Sequence, residues 1–173
     1  MRHLKFISLL PLLGLTLLLS SCQGYKLGSQ LPEDISSVYV PTVRNQTNEP
    51  LLENEVTQAI LNEIQRDGSL SIQSEEDADA LLYVTITNYR IDPLSFENEN
   101  RSRPDEYRLI LKARVEMVRR DNGKILARNS SVSGRDDFPL TGDLTSAKRN
   151  GLPGAAEDLA RFVVAAITEA WPD

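Results

Sequence analysis

Tyr107-Arg108-Leu109-Ile110-Leu111-Lys112-Ala113-Arg114-Val115-Glu116-Met117 decides how this chain folds. Its apolar residues Tyr107, Leu109, Leu111, Ala113, Val115 and Met117 alternate with Arg108, Lys112, Arg114 and Glu116. Successive side chains of a strand point to opposite faces, so a period of two predicts a strand with one face buried and the other wet. Such a strand needs a cover on one side only, as in antiparallel and mixed sheets.

On its C-terminal side, Asp121-Asn122-Gly123-Lys124 supplies hairpin chemistry, because Asn and Gly accept positive φ, and a further strand is predicted from about Ile125 to Phe138. On its N-terminal side, Leu81 to Ile91 reads as a strand with Leu82, Val84 and Ile86 on one face, after the acidic turn Ser74 to Ala80. Ahead of that turn, Leu52, Val56, Ala59, Ile60 and Ile64 recur at the three-and-four spacing of an amphipathic helix. Gly68 is positioned to cap it, Glu53 and Glu55 suit its positive first turn, and Arg66 suits its last. Ile35 to Val43 reads as the first strand, bent near Pro41, and Leu70 to Gln73 opens the extended segment after the helix. A strand-helix-strand connection of that length is a right-handed crossover, so the strands it joins are expected to be parallel.

Pro139 to Pro153 reads as a loop holding at most a helical turn. From Ala155, the spacing of Ala156, Leu159, Phe162, Val163, Ala166, Ile167 and Ala170 predicts a second amphipathic helix ending near Trp171-Pro172. The expected fold is therefore an α+β (α/β) sandwich in the order β-α-β-β-β-α, a four-stranded mixed sheet with two helices on one face.

The first residues carry a separate message. Met1-Arg2-His3-Leu4-Lys5 holds two cations, and about fourteen mostly apolar residues follow to Leu19, which is the pattern of a secretory signal. At about 1.5 Å per residue this run reaches about 21 Å against a hydrocarbon core of about 30 Å, and Pro11 and Gly14 interrupt it, so a spanning helix is not expected. The run ends in Leu19-Ser20-Ser21-Cys22, the form of a bacterial lipobox, whose cysteine is lipid-modified and becomes the first residue. Residues 1–21 are thus read as the signal, 22–34 as the lipidated Cys22 with a flexible tether, and 35–173 as a single domain. Several acyl chains, palmitate among them, would hold the protein far longer than the marginal grip of one. Gln23 rather than Asp after the cysteine points to the outer membrane rather than inner-membrane retention.

Processing at that site removes much chemistry. Cys22 is the only cysteine and His3 the only histidine, so the mature chain keeps neither imidazole nor free thiol, and no Ser-His-Asp triad, Cys-His pair or common zinc site is expected. No cofactor motif is visible either; GxGxxG and the phosphate-cradling loop with its Lys are both missing. The mature chain carries 17 basic against 25 acidic side chains, which argues against nucleic-acid binding. Close carboxylates remain at Glu75/Glu76, Asp77/Asp79 and Asp136/Asp137, read first as solvated charge and caps.

The ordered motifs resemble the lipopolysaccharide-assembly lipoprotein family, LptE, across essentially the whole mature region. The resemblance rests on Cys22 closely followed by Gly24-Tyr25-Lys26-Leu27, on Val40-Pro41 with Asn45-Gln46-Thr47, and on Pro50-Leu51-Leu52-Glu53 ahead of the first helix. It continues through Asp79-Ala80, Glu106-Tyr107-Arg108-Leu109, Gly123-Lys124-Ile125-Leu126 and Ala156-Glu157-Asp158-Leu159-Ala160. It implies a non-enzymatic partner of the outer-membrane β-barrel subunit of the lipopolysaccharide translocon. Such proteins sit in the barrel as a plug, assist its assembly and can bind lipopolysaccharide.

A meander of the last three strands would place the loop Asn98 to Asp105 and the loop leaving the last strand at one end of the sheet, opposite the tether. Those loops carry Arg101, Arg103, Lys148 and Arg149, cations suited to phosphate, and together they form the candidate glycolipid- or partner-binding tip. Two other function classes stay open at this point. One is a lipid-anchored envelope binding module with a different partner. The other is a carboxylate-dependent envelope hydrolase, which requires two carboxylates at glycosidase spacing.

Overall fold

The computed structural model describes residues 31–96, 104–140 and 142–169. The founding strand is there at greater length, Pro104–Arg119, with Leu109, Leu111, Ala113, Val115 and Met117 all buried. In chain order the elements are β1 (Ser37–Tyr39), β2 (Arg44–Asn45), α1 (Leu52–Asp67), β3 (Ser71–Ile72), β4 (Ala80–Phe96), β5 (Pro104–Arg119), β6 (Ile125–Pro139) and α2 (Leu144–Thr168).

The sheet has six strands rather than four, in the order β3-β1-β4-β5-β6, with β2 also pairing β4. Two short pieces make the difference. Pro41 cannot donate to a ladder, and the expected first strand splits on either side of it into β1 and β2, both parallel to β4. The Leu70 to Gln73 segment does not run on into β4; the turn in which Ser74 O accepts from the amides of Asp77 and Ala78 separates them. It forms β3, parallel to β1 at the sheet's outer edge. The parallel crossover and the antiparallel β4-β5-β6 meander are as expected.

The hairpin between β5 and β6 divides its labour. Gly123 takes the positive φ of 68°, while Asn122 contributes through its side chain, which accepts from the Lys124 amide at 2.9 Å. In β4, Thr87 is an extra residue between the pairs Ile86↔Ala113 and Asn88↔Lys112. That bulge reverses the phase of the strand, so Tyr89 and Ile91, not Asn88 and Arg90, line up with the buried Leu111 and Leu109.

Helix α1 is the helix the spacing predicts, with its five periodic residues buried. Gly68, at φ 75°, donates its amide to Ile64 O at 3.0 Å and closes the helix. Helix α2 corrects the expectation of a loop up to Pro153. It begins at Leu144, and the Asp143 side chain accepts from the Ser146 amide at 3.0 Å to cap it. Pro153 lies inside it and is exposed, and because proline has no N–H the Arg149 carbonyl four residues earlier goes without its helical donor. The last helical residue is Thr168, and the expected end at Trp171-Pro172 falls outside the described residues.

The glycines that read as breakers are contact points between α2 and the sheet. A Cβ on Gly151 would stand 2.5 Å from Phe138 Cδ1, and one on Gly154 would stand 2.6 Å from Asp136 Cγ. Both helices contribute to one core with Val38, Leu82, Val84, Ile86, Leu109 and Leu111, and each large side chain fully buried there contributes about 1.5–3 kcal/mol. Among the described residues, no helix lies on the opposite face of the sheet.

Candidate functional site

The two ends of the sheet differ in what they hold. At the N-terminal end, Asp79 Oδ2 accepts from the amides of Ser36 and Ser37 at 3.0 Å each and from their hydroxyls at 3.1 and 2.7 Å. Those bonds, led by the Ser37 hydroxyl, hold the Asp79 carboxyl below its ordinary range. Asp34 forms an ion pair with Arg119 beside the hairpin, so the last residues of the expected tether are fastened at that end. At the other end, Phe96 pairs with Pro104 and Pro139 with Glu106, so the end of β4, the start of β5 and the end of β6 lie together. At about 3.3 Å per residue, the roughly 15-residue central strands separate the two ends by about 50 Å.

Of the predicted site residues, Cys22, Arg101 and Arg103 lie outside the described residues. Lys148 and Arg149 belong to the first turns of α2 rather than to a loop, and they do not point the same way, since consecutive helical residues are about 100° apart. Arg149 is exposed. Lys148 turns inward: its Nζ is 3.8 Å from Glu49 Oε2 and 5.9 Å from the centroid of the Tyr89 ring.

That contact marks a cleft that sequence reasoning missed. It has a volume of about 430 Å³ and is lined by Gln46, Thr47, Asn48 and Glu49 from the β2–α1 loop and by Thr87, Asn88 and Tyr89 from the bulged part of β4. Asn45 organises the loop. Its Nδ2 donates to Glu49 O at 2.8 Å, and its Oδ1 accepts from the Thr47 amide and hydroxyl at 2.9 and 2.8 Å. The Gln46 amide donates to Ile86 O at 2.9 Å, tying the loop to β4. Leu51 then enters α1 at φ 66°, the one non-glycine residue of positive φ among those described, with 81% of its surface exposed. Burial, with Glu49 adding to it, pushes the Tyr89 hydroxyl up to about 12, so it is a neutral donor at any physiological pH. The signal in the sequence was Asn45-Gln46-Thr47, legible as a turn; the bulge at Thr87 that brings Tyr89 beneath it was not.

The carboxylate pairs are occupied with structure. Asp77 accepts from the Ser74 hydroxyl at 2.8 Å, and Asp79 holds β1. Asp137 is clasped by Arg108 through two bonds of 2.6 Å and is held below its ordinary range by that guanidinium. Its neighbour Asp136 faces α2 instead, against Gly154, and burial raises it. Glu75 and Glu76 are exposed in the turn before β4. Among the described residues there is no group of three or more His, Cys, Asp or Glu side chains that could hold a metal, and no helix long and apolar enough to cross a membrane.

The model of one family, described as lipopolysaccharide-assembly, matches residues 35–167. No curated protein matches in sequence. Among solved structures, the fold is similar to that of protein XCC0632 from Xanthomonas campestris, at a TM-score of 0.53 and 10% identity over 81% of this chain and 89% of that one. It is similar to the protein CT253 of Chlamydia trachomatis, at 0.52 and 13% identity over 76% and 94% of the two chains. A minor lipoprotein from Acinetobacter baumannii gives 0.51 and 8% identity over 78% and 93%. At such identities these likenesses concern the fold alone.

Proposed function

Because this chain belongs to the lipopolysaccharide-assembly family LptE, a family of non-enzymatic envelope lipoproteins, we propose that it is a plug and scaffold of the lipopolysaccharide translocon. In this reading Cys22 carries the lipid that fixes the protein to the periplasmic side of the outer membrane. The domain stands inside the β-barrel subunit, supports its assembly and passes lipopolysaccharide toward the outer leaflet.

The observation that carries this reading is the polarity of the sheet. The chain arrives at one end, where Asp34 and Asp79 fasten it, and β4 and β5 meet at their other end, through Phe96 and Pro104, about 50 Å away. Lys148 and Arg149 sit in the first turns of α2, which starts from that second end. An anchored protein built this way presents cations away from its lipid, where a phosphorylated glycolipid would meet them. Lys148 is only partly exposed and loosely paired at 3.8 Å, so a phosphate can compete with Glu49 for it.

Purification of the lipidated protein in mild detergent tests the partner: the β-barrel subunit should accompany it, and its absence rejects the translocon reading. Charge reversal of Arg101, Arg103, Lys148 and Arg149 together should weaken lipopolysaccharide binding by the folded domain. Unchanged binding would remove these four residues from the glycolipid site.

A further inference from the structure

The face of the sheet that neither α1 nor α2 covers is basic in a chain that is acidic overall. Its rows follow from the strand registers: Arg44, Thr85 and Arg114 lie side by side across β2, β4 and β5, then Asn88, Lys112 and Ser133, then Arg90, Ile110 and Arg135. With Arg108 and Arg128 the face holds seven cations against four acids, Asp92, Glu106, Glu116 and Asp137, while the whole chain is at −6. Three of those acids are taken: Asp92 by Arg90, Asp137 by Arg108 and Glu116 by Arg128. Arg44, Lys112, Arg114 and Arg135 are exposed and make no ion pair with any described residue.

Across the ladder each of these four cations faces a neutral residue, Thr85 for Arg44 and Arg114, Asn88 and Ser133 for Lys112, and Ile110 for Arg135. With no acid set directly opposite them, they gain from an anionic partner. The form of that partner follows from their spread. Arg44 and Arg114 are two strand spacings apart, about 9.6 Å, and Arg114 and Lys112 about 7 Å along the strand. That is wider than one phosphate group, and the intervening Thr85, Asn88 and Ser133 offer neutral polar contacts. The acid-bearing rim would be repelled by a uniformly anionic lipid surface but suits a protein wall of mixed polarity. Three strands at about 4.8 Å by about 15 residues give roughly 14 by 50 Å, close to the ~800 Å² that one partner contributes to a standard interface.

We propose that this face, centred on Arg44, Lys112, Arg114 and Arg135, docks against a protein surface of mixed polarity that sets carboxylates opposite these four cations. Resting on the plug reading above, that surface is the polar lumenal wall of the β-barrel subunit. Arg is the residue fitted to it, because its planar fork meets a carboxylate in two parallel bonds.

The test uses the full lipidated chain co-expressed with the barrel subunit. The four cations are replaced together by Gln in one variant and by Glu in another, and folding is checked by circular dichroism and thermal unfolding. Barrel recovery is measured at low salt and at about 1 M salt, where the screening length falls to about 3 Å. The wild type should bring down the barrel in a salt-sensitive manner; the Gln set should recover about tenfold less and the Glu set none. A wild type that recovers no barrel overturns the plug reading and this proposal with it. A barrel recovered equally by wild type and by both folded variants overturns the docking face alone. The same proteins are presented to vesicles of anionic phospholipid and to purified lipopolysaccharide; loss there with barrel recovery intact assigns the face to lipid and also overturns the proposal.

Discussion

A Cβ on Gly134 would stand 2.1 Å from the backbone nitrogen of Leu159, so β6 and α2 meet through their backbones at this point. Neither partner is a flexible side-chain tip that could swing away. Gly134→Ala should therefore force the helix off the strand and destabilise the domain by about 3 kcal/mol, at the upper end of overpacking costs. Denaturant unfolding measures it; a variant as stable as the wild type would mean that the helix can shift freely.

The start of α2 depends on Asp143 rather than on periodicity. Its carboxylate, held below its ordinary range first by the Ser146 amide and then by the Ser146 hydroxyl, caps the helix. Asp143→Ala should speed amide exchange in residues 144–152 while leaving exchange in 155–168 unchanged, because Ala155, Ala156 and Leu159 are anchored in the core.

Asp79 makes stability depend on acid. A carboxyl whose folded pKa is depressed contributes stability above its unfolded pKa, near 3.8, and that contribution disappears as pH falls through the lower folded value. Asp79→Ala should cost about 1–2 kcal/mol near neutral pH, allowing for partial exposure, by leaving the Ser36 and Ser37 donors without this acceptor. The difference between variant and wild type should close below about pH 4, as urea melts across pH will show.

Tyr89 should titrate late. Ultraviolet difference spectra should contain one phenol ionising at about 12, and Tyr89→Phe should delete it. The sign follows from the charged form being the anion, which burial disfavours. Any stability linked to the neutral phenol is therefore complete below about pH 10 and lost as pH rises through 12. Glu49→Gln should bring the ionisation down, since Glu49 is the second cause after burial.

The same Glu49→Gln change bears on the proposed glycolipid site. Lys148 would lose the carboxylate 3.8 Å away that competes with an incoming phosphate. Lipopolysaccharide binding should then strengthen by about two- to fivefold at low salt, in line with a partly exposed pair worth under about 1 kcal/mol. Weaker binding would indicate that Glu49 orients Lys148 instead of restraining it.

Local pattern was enough for much of the architecture. The alternation from Tyr107 to Met117, the spacing of Leu52, Val56, Ala59, Ile60 and Ile64, and the Gly68 cap all appear in the structure because each is a periodicity or a φ requirement settled within a few residues. The short β3 and the split of the first strand were not legible. Two-residue strands have no period, and only pairing with β1 or β4 makes them strands. Helix α2 misled for a related reason. Gly151, Pro153 and Gly154 carry breaker signals in isolation, and it is the fit of Gly151 over Phe138 and Gly154 over Asp136 that makes a helix the better solution.

The candidate sites divide in the same way. Sequence placed Lys148 and Arg149 near the far end of the sheet, yet it could not place Lys148 over Tyr89 and against Glu49, because those contacts join residues 59 and 99 positions apart and depend on the bulge at Thr87. Nor could it gather Arg44, Lys112, Arg114 and Arg135, each of which reads alone as an ordinary polar position of a strand. By itself the sequence determined the strand and helix periods, the chemistry available to the chain and its family. Tertiary structure decided which residues became neighbours, because register, bulges and backbone contacts arise only when distant segments share one core.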